Sequence, residues 1–162
     1  MKDKEQEKEF IALIEAYKQV IFKVCYMYTA DPDELNDYYQ EVVISIWKAY
    51  PKFRHESKIS TWVYRISLFT CISYIRRGRS KPQFVPLSIN HEMFDDADER
   101  RGQLKEMYVL INRLGKLDKA LILLWLEDKT YQEIAEITRL SRNNVAVKLM
   151  RIKDKLKTMY ND

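Results

Sequence analysis

Two helix-start signals, Thr130 and Ser141, stand so close together near the end of this chain that only a short helix and a tight turn fit between them. Glu133 follows Thr130 at capping-box spacing. Ile134, Ala135 and Ile137 fall on the inward side, and Ala135 is small where two crossing helices must approach. Residues 138–140 break the pattern. Behind Ser141, Val145, Leu149, Ile152 and Leu156 recur at helical spacing, while Arg142, Asn143, Asn144, Lys148, Arg151 and Lys153 are expected on the other face. A helix with an apolar inner stripe and an outer face of Arg, Lys and Asn suits the DNA major groove. Its first residues can reach base edges, and its cations can meet phosphates. The pattern reads as a helix-turn-helix. It also fits an ordinary amphipathic hairpin with a solvated basic face, so the rest of the chain has to decide.

With 162 residues there is room for one ordinary domain or two small ones. Only three Gly and four Pro interrupt a sequence rich in helix formers, which predicts an all-α fold. The net charge of +4 is a weak global signal for nucleic acid, so the distribution of charge matters more. Cys25, Cys71, His55 and His91 are scattered and match no zinc spacing. Each Cys sits in an apolar helical pattern and is expected to be a buried free thiol. The sequence shows no Gly-rich nucleotide loop and no nucleophile–base pair, so no catalytic residue, metal, cofactor or small-molecule substrate is expected. The first ten residues are charged and lack the apolar core of a signal peptide, and the longest apolar run, 120–126, is too short to span a bilayer. The expectation is a soluble cytoplasmic protein with no direct membrane insertion.

Taken in order, residues 4–28 form a first helix whose inner face carries Phe10, Leu13, Ile14, Tyr17, Ile21, Val24 and Tyr28. Pro32 is expected to end it, and Asp33 to cap or charge the next. Residues 33–50 give a second helix with an apolar stripe of Leu35, Tyr39, Val42, Val43, Ile46, Trp47 and Tyr50, stopped by Pro51. Asp37, Gln40 and Glu41 make an acidic-polar edge, which taken alone is an ordinary solvated face. A polar loop, 52–58, precedes a third helix at 59–77. On it Trp62, Arg65, Phe69, Ser73 and Arg76 share one face, and Val63, Ile66, Thr70 and Tyr74 share its neighbour. Aromatic and basic residues interleaved in this way resemble single-stranded nucleic-acid platforms, where bases stack on rings and Arg meets phosphate. The alternative is that both rings are core. Four cations, Arg76, Arg77, Arg79 and Lys81, crowd the exit from this helix.

From 82 to about 101 the sequence turns Pro-containing and then acidic, which reads as an interdomain linker. Leu104, Met107, Tyr108, Ile111 and Leu114 predict a fourth helix ending near Gly115. Asp118 is expected to cap a fifth. With the last two helices these form a unit of roughly sixty residues, near the lower limit for independent folding. Seven cations and one acid lie between Arg139 and Lys157, so the modest net charge hides two basic surfaces separated by an acidic strip.

At this point the chain resembles the sigma-seventy family of bacterial RNA polymerase sigma factors, in its small two-domain, extracytoplasmic-function (ECF) group. The resemblance rests on 37–42 (DYYQEV) followed by Trp47, on 53–66 (FRHESKISTWVYRI), on 74–77 (YIRR), on 131–135 (YQEIA) and on 145–151, in that order and spacing. It implies two small helical domains. Residues 1–81 would be a region-two-like domain, 82–101 a linker, and 102–162 a region-four-like domain of four helices, a helix-turn-helix like a winged helix without its wing. The resemblance assigns Asp37, Gln40, Glu41 and Trp47 to docking on core RNA polymerase. It assigns Phe53, Arg54, Ser60, Thr61, Trp62, Arg65, Phe69, Ser73, Arg76 and Arg77 to opening the minus-ten element and holding its non-template strand. Arg142, Asn143, Asn144, Lys148, Arg151 and Lys153 would read the minus-thirty-five element of promoter DNA. An anti-sigma protein that holds the chain inactive is a further partner the family implies.

Four positions depart from the family's pattern. Phe69 stands where relatives often have Asn, and Ser73 where many have Asp. Thr138 takes a turn position that is often Gly, and Ala146 replaces a frequent basic residue. The fold tolerates all four, but no promoter sequence follows from the resemblance. A stand-alone helix-turn-helix regulator is the alternative. It would bind duplex DNA without polymerase, usually as a dimer, and the chain shows no separate dimerisation helix. A helical adaptor is the other; it would be indifferent to loss of Arg142 and Lys148.

Overall fold

A computed structural model of the chain describes residues 2–29, 31–76 and 106–162, and every regular element among them is helical. The side chain of Arg76, and Arg77, Leu104, the basic run to Pro82 and the 82–101 linker, lie outside the described residues. The chain divides into two compact units, Met1–Pro82 and Gln83–Asp162. No helix among the described residues is long and apolar enough to cross a membrane.

In the first unit α1 (Lys2–Tyr28), α2 (Pro32–Ala49) and α3 (Ile59–Arg76) pack pairwise into a three-helix body, with a 3-10 turn (Tyr50–Lys52) after α2. Ile21, Val24 and Cys25 from α1 meet Tyr38, Val42 and Ile46 from α2 and Val63, Leu68 and Cys71 from α3 in the core. Both thiols are free and buried, as expected, and their Sγ atoms lie 3.9 Å apart across α1 and α3. Burial, and then the sulfur of Cys25 beside it, push the Cys71 pKa well up, which leaves it protonated and inert.

Three local expectations need correction here. The first helix ends at Tyr28, where it was expected to, but Pro32 opens α2 instead of closing α1. Proline suits that position because its missing N–H has no partner in a first turn anyway. The cap is Asp31, whose Oδ1 accepts from the Asp33 backbone N–H at 3.0 Å, and Asp33 contributes only charge near the helix dipole. The third correction concerns the α2 stripe. Tyr38, left out of it, is 1% exposed and packs edge-to-face on Tyr74, whereas Trp47 is 44% exposed.

The second unit contains a helical stretch at 106–111 (α4), then α5 (Lys116–Leu126), α6 (Tyr131–Thr138) and α7 (Arg142–Asn161). The α4 stretch gives way to a turn before Gly115, and Gly115 itself is the N-cap of α5. Asp118, expected to cap it, sits inside the first turn. Helix α5 buries Ala120, Leu121, Ile122, Leu123 and Leu124 in succession, so it is the unit's central helix, packed on both α6 and α7.

The capping signals around α6 and α7 are realised. Thr130 Oγ1 accepts from the Glu133 N–H at 3.1 Å, and Glu133 Oε1 accepts from the Thr130 N–H at 3.1 Å. Ser141 Oγ accepts from the Asn144 N–H at 3.1 Å. The turn residue between the helices is Arg139 and not Thr138. Arg139 takes the left-handed conformation at φ 62°, while Thr138 ends α6, buried, its hydroxyl donating 2.7 Å to the Ile134 carbonyl. Thr130→Ala removes one half of the capping box. It is expected to cost about 1 kcal/mol, lowering the melting midpoint of a unit this small by roughly 4–8 °C in a circular-dichroism melt.

Candidate nucleic-acid interface

Helix α7 separates a buried face from an exposed one by register. Val145, Leu149 and Ile152 are buried against α5 and α6. Arg142, Asn143, Asn144 and Arg151 are exposed, and Lys148 is half-exposed. Lys153 departs from expectation: it is half-buried, and its Nζ rests 3.9 Å from the centre of the Trp125 ring on α5. That cation–π contact holds it at the α5–α7 seam, away from the outer face. Val147 and Met150 were missed. Both are exposed on the outer face, at four and seven residues after Asn143, a spacing that identifies them once the inner stripe is known.

In the first unit the loop after α2 and the start of α3 build an aromatic cluster. The Phe53 ring lies 4.7 Å from Trp62 and 4.5 Å from His55, and Tyr50 lies 6.4 Å from Trp62. The Tyr50 hydroxyl donates to Glu9 Oε2 at 3.0 Å, which ties the cluster back to α1. Burial first, and then that hydrogen bond and the Glu9 charge, raise the Tyr50 pKa. His55 is exposed and holds a left-handed backbone at φ 58°, turning the chain between Phe53 and α3. Neither Tyr50 nor His55 was among the expected site residues, because their part depends on the fold of the loop and not on helical spacing.

Along α3 the described members of the expected face reach the surface, while one residue that the resemblance grouped with them, Thr61, does not. Trp62 and Arg65 are half-exposed, Phe69 is 42% exposed and Ser73 is exposed, one to two turns apart. Ser60 is half-exposed and Arg54 exposed at its approach. Thr61 is 4% exposed and turned into the core, so it does not belong to this face. The two aromatic residues of α3 therefore divide: Trp62 leans on Phe53, and Phe69 stands out.

On α2, Asp37, Gln40, Ile44 and Trp47 follow one another at intervals of three and four along the outward side, with Glu41 half-exposed beside them. Phe10 of α1 meets Trp47 edge-on at 4.8 Å. Next to the stripe a shallow groove of about 550 Å³ is lined by Phe10, Ile11, Val43, Ile44 and Trp47 with Asp3, Gln6 and Glu7 on α1. Ile44 escaped notice in the sequence, although it stands four residues after Gln40 and three before Trp47. Among the described residues no group of His, Cys, Asp or Glu is placed to hold a metal ion.

Comparison with known proteins places these faces in a family context. The family model for Sigma-70 region 2 matches residues 13–81, and that for Sigma-70, region 4 matches residues 104–156. RNA polymerase sigma factor SigV of Bacillus subtilis (strain 168) is 27% identical over 160 residues, which cover 94% of this chain and 95% of that protein. ECF RNA polymerase sigma factor SigG of Mycobacterium tuberculosis is 30% identical over 95 residues, covering 59% of this chain. The match spans only a quarter (25%) of SigG's own length. The sigma factor RpoE in its co-crystal structure with the anti-sigma factor NepR from Bartonella quintana superposes with a TM-score of 0.67. It covers 98% of each chain at 16% identity, a likeness of fold alone.

Proposed function

The chain belongs to the sigma-70 family of RNA polymerase sigma factors, in its ECF group, and from that premise we propose that it binds core RNA polymerase and directs promoter-specific initiation. The observation that carries the proposal is the pairing, in one chain, of a region 2 match and a region 4 match, each on its own compact unit. A stand-alone regulator has no use for the α2 stripe and the aromatic loop beside its helix-turn-helix.

The roles divide as follows. Asp37, Gln40, Glu41 and Trp47, with Ile44, dock the first unit on polymerase. Phe53, Arg54, Ser60, Trp62, Arg65, Phe69 and Ser73, with Arg76 and Arg77, hold unstacked bases and backbone of the minus-ten element. Stacking contributes about 1–3 kcal/mol per base, which offsets part of the cost of strand separation. Arg142, Asn143, Asn144, Lys148 and Arg151 anchor the second unit on the minus-thirty-five duplex. The domain assignment is 1–81, a linker at 82–101, and 102–162. The chain contributes no bond-making chemistry and acts in the cytoplasm. RpoE is crystallised with an anti-sigma factor, and we extend a partner of that kind to this chain.

The test is transcription of a sheared genomic library by core polymerase with and without the purified chain. New, sharply positioned transcript starts that depend on the chain are expected. Their absence, together with duplex binding in the absence of polymerase, would replace this reading with that of a stand-alone regulator.

A further inference from the structure

The outward stripe of α7 is not uniformly basic. Asn143, Val147, Met150 and Asp154 follow one another at intervals of four, three and four. The buried stripe of Val145, Leu149 and Ile152 is shifted from it by two residues, about 200° around the helix. Val147 is 41% exposed and Met150 58% exposed, so two large apolar side chains occupy the part of the helix that points farthest from its own unit. Single exposed hydrophobics are common and need no explanation. This pair is different because of its neighbours: two exposed amides, Asn143 and Asn144, precede it and an exposed guanidinium, Arg151, follows.

In the major groove the one apolar group on a base edge is the C5-methyl of thymine, and an asparagine amide pairs bidentately with adenine N6 and N7. Four residues rise about 6 Å against about 3.4 Å per base pair, so Asn143 and Val147 would meet base pairs one or two steps apart. Arg151 meets the backbone beside them. Asp154, exposed and next on the stripe, would face phosphate with like charge, so base reading ends before it, at Met150.

We infer that Val147, supported by Met150, is a specificity-determining residue that packs on a thymine methyl, and that with Asn143 it selects nearby A·T pairs in the upstream promoter element. The inference rests on the proposed role of α7 in promoter binding. It assigns preference to methyl and amide contacts where an arginine pair would select guanine.

The test uses holoenzyme assembled from the full chain and core polymerase on a promoter pool randomised in the upstream element. The best promoter is then remade with deoxyuridine in place of each thymidine in turn, a change that removes only the methyl. With the native chain, deoxyuridine at one or two adjacent positions is expected to weaken promoter binding roughly fourfold, the value of one buried carbon. Val147→Ala is expected to abolish that sensitivity while leaving thermal unfolding unchanged, because the side chain is exposed. Promoter binding that is indifferent to every deoxyuridine, or equally sensitive with Val147→Ala, overturns the inference, and the proposed function stands if transcription still depends on the chain. No transcription from any member of the pool removes both.

Discussion

Asp37→Arg combined with Gln40→Arg is expected to abolish co-elution of the chain with core RNA polymerase. Both side chains are exposed on the outer stripe of α2, so the first unit should fold normally and its melting midpoint should not move. What changes is the complementarity of the face proposed to dock. Truncating a hot-spot contact in a protein interface costs about 2 kcal/mol or more, about 30-fold in affinity, and introducing two cations adds repulsion wherever the partner surface is basic. A fluorescence titration of labelled chain with core polymerase measures the loss. The Asp37 contribution should shrink as salt is raised, since an exposed charge is screened over about 8–10 Å at moderate ionic strength. The apolar half of the stripe behaves differently: Ile44→Ala and Trp47→Ala should weaken binding with little dependence on salt. Unchanged affinity in all of these variants would mean that polymerase docks elsewhere on the unit, and the assignment of α2 would fail.

Leu149→Ala is expected to unfold the second unit while leaving the first intact. Leu149 is fully buried where α7 crosses α5 and α6. Truncating such a leucine costs about 2–5 kcal/mol through lost burial and the cavity it leaves. A unit of this size has little stability in reserve. The full chain melted by scanning calorimetry should therefore lose one transition and keep the other. Hydrogen exchange would report the same partition, with protection lost in α5 to α7 and retained in α1 to α3. If one cooperative transition shifts as a whole, the two units do not fold independently and the proposed domain boundary is wrong.

The parts of this fold that could be read from sequence are those set by local rules. The caps at Thr130 and Ser141 are satisfied by atoms three residues away, and the α7 inner stripe follows from periodicity, so both were visible in the order of residues. The failures share another cause. Tyr38 and Trp47 both lie near the edges of the α2 stripe. Which edge is buried depends on where α1 and α3 lie, and periodicity carries no information about that. Lys153 looked like an outer-face cation until α5, far back in the chain, supplied the Trp125 ring beneath it. Thr61 stands between two half-exposed residues in sequence, but helical geometry turns it inward against the first unit's core. The aromatic cluster of Tyr50, Phe53, His55 and Trp62 needs the loop's own path, including the left-handed turn at His55, and no repeat announces such a path. At the opposite extreme, the restart at Asp31 was misread by a residue or two because Pro and Asp are equally at home ending one helix and beginning another.

The two-residue offset between the stripes of α7 has a consequence for divergence. A substitution at Asn143, Val147 or Met150 alters what the helix offers to the outside and leaves Val145, Leu149 and Ile152, which fasten it to α5 and α6, untouched. Paralogues within one genome could therefore drift apart in the sites they recognise at almost no expense to foldedness, each keeping the same scaffold and the same docking partner. Cross-talk between such paralogues would be governed by a handful of solvent-facing positions, and exchanging those positions alone should transfer regulons.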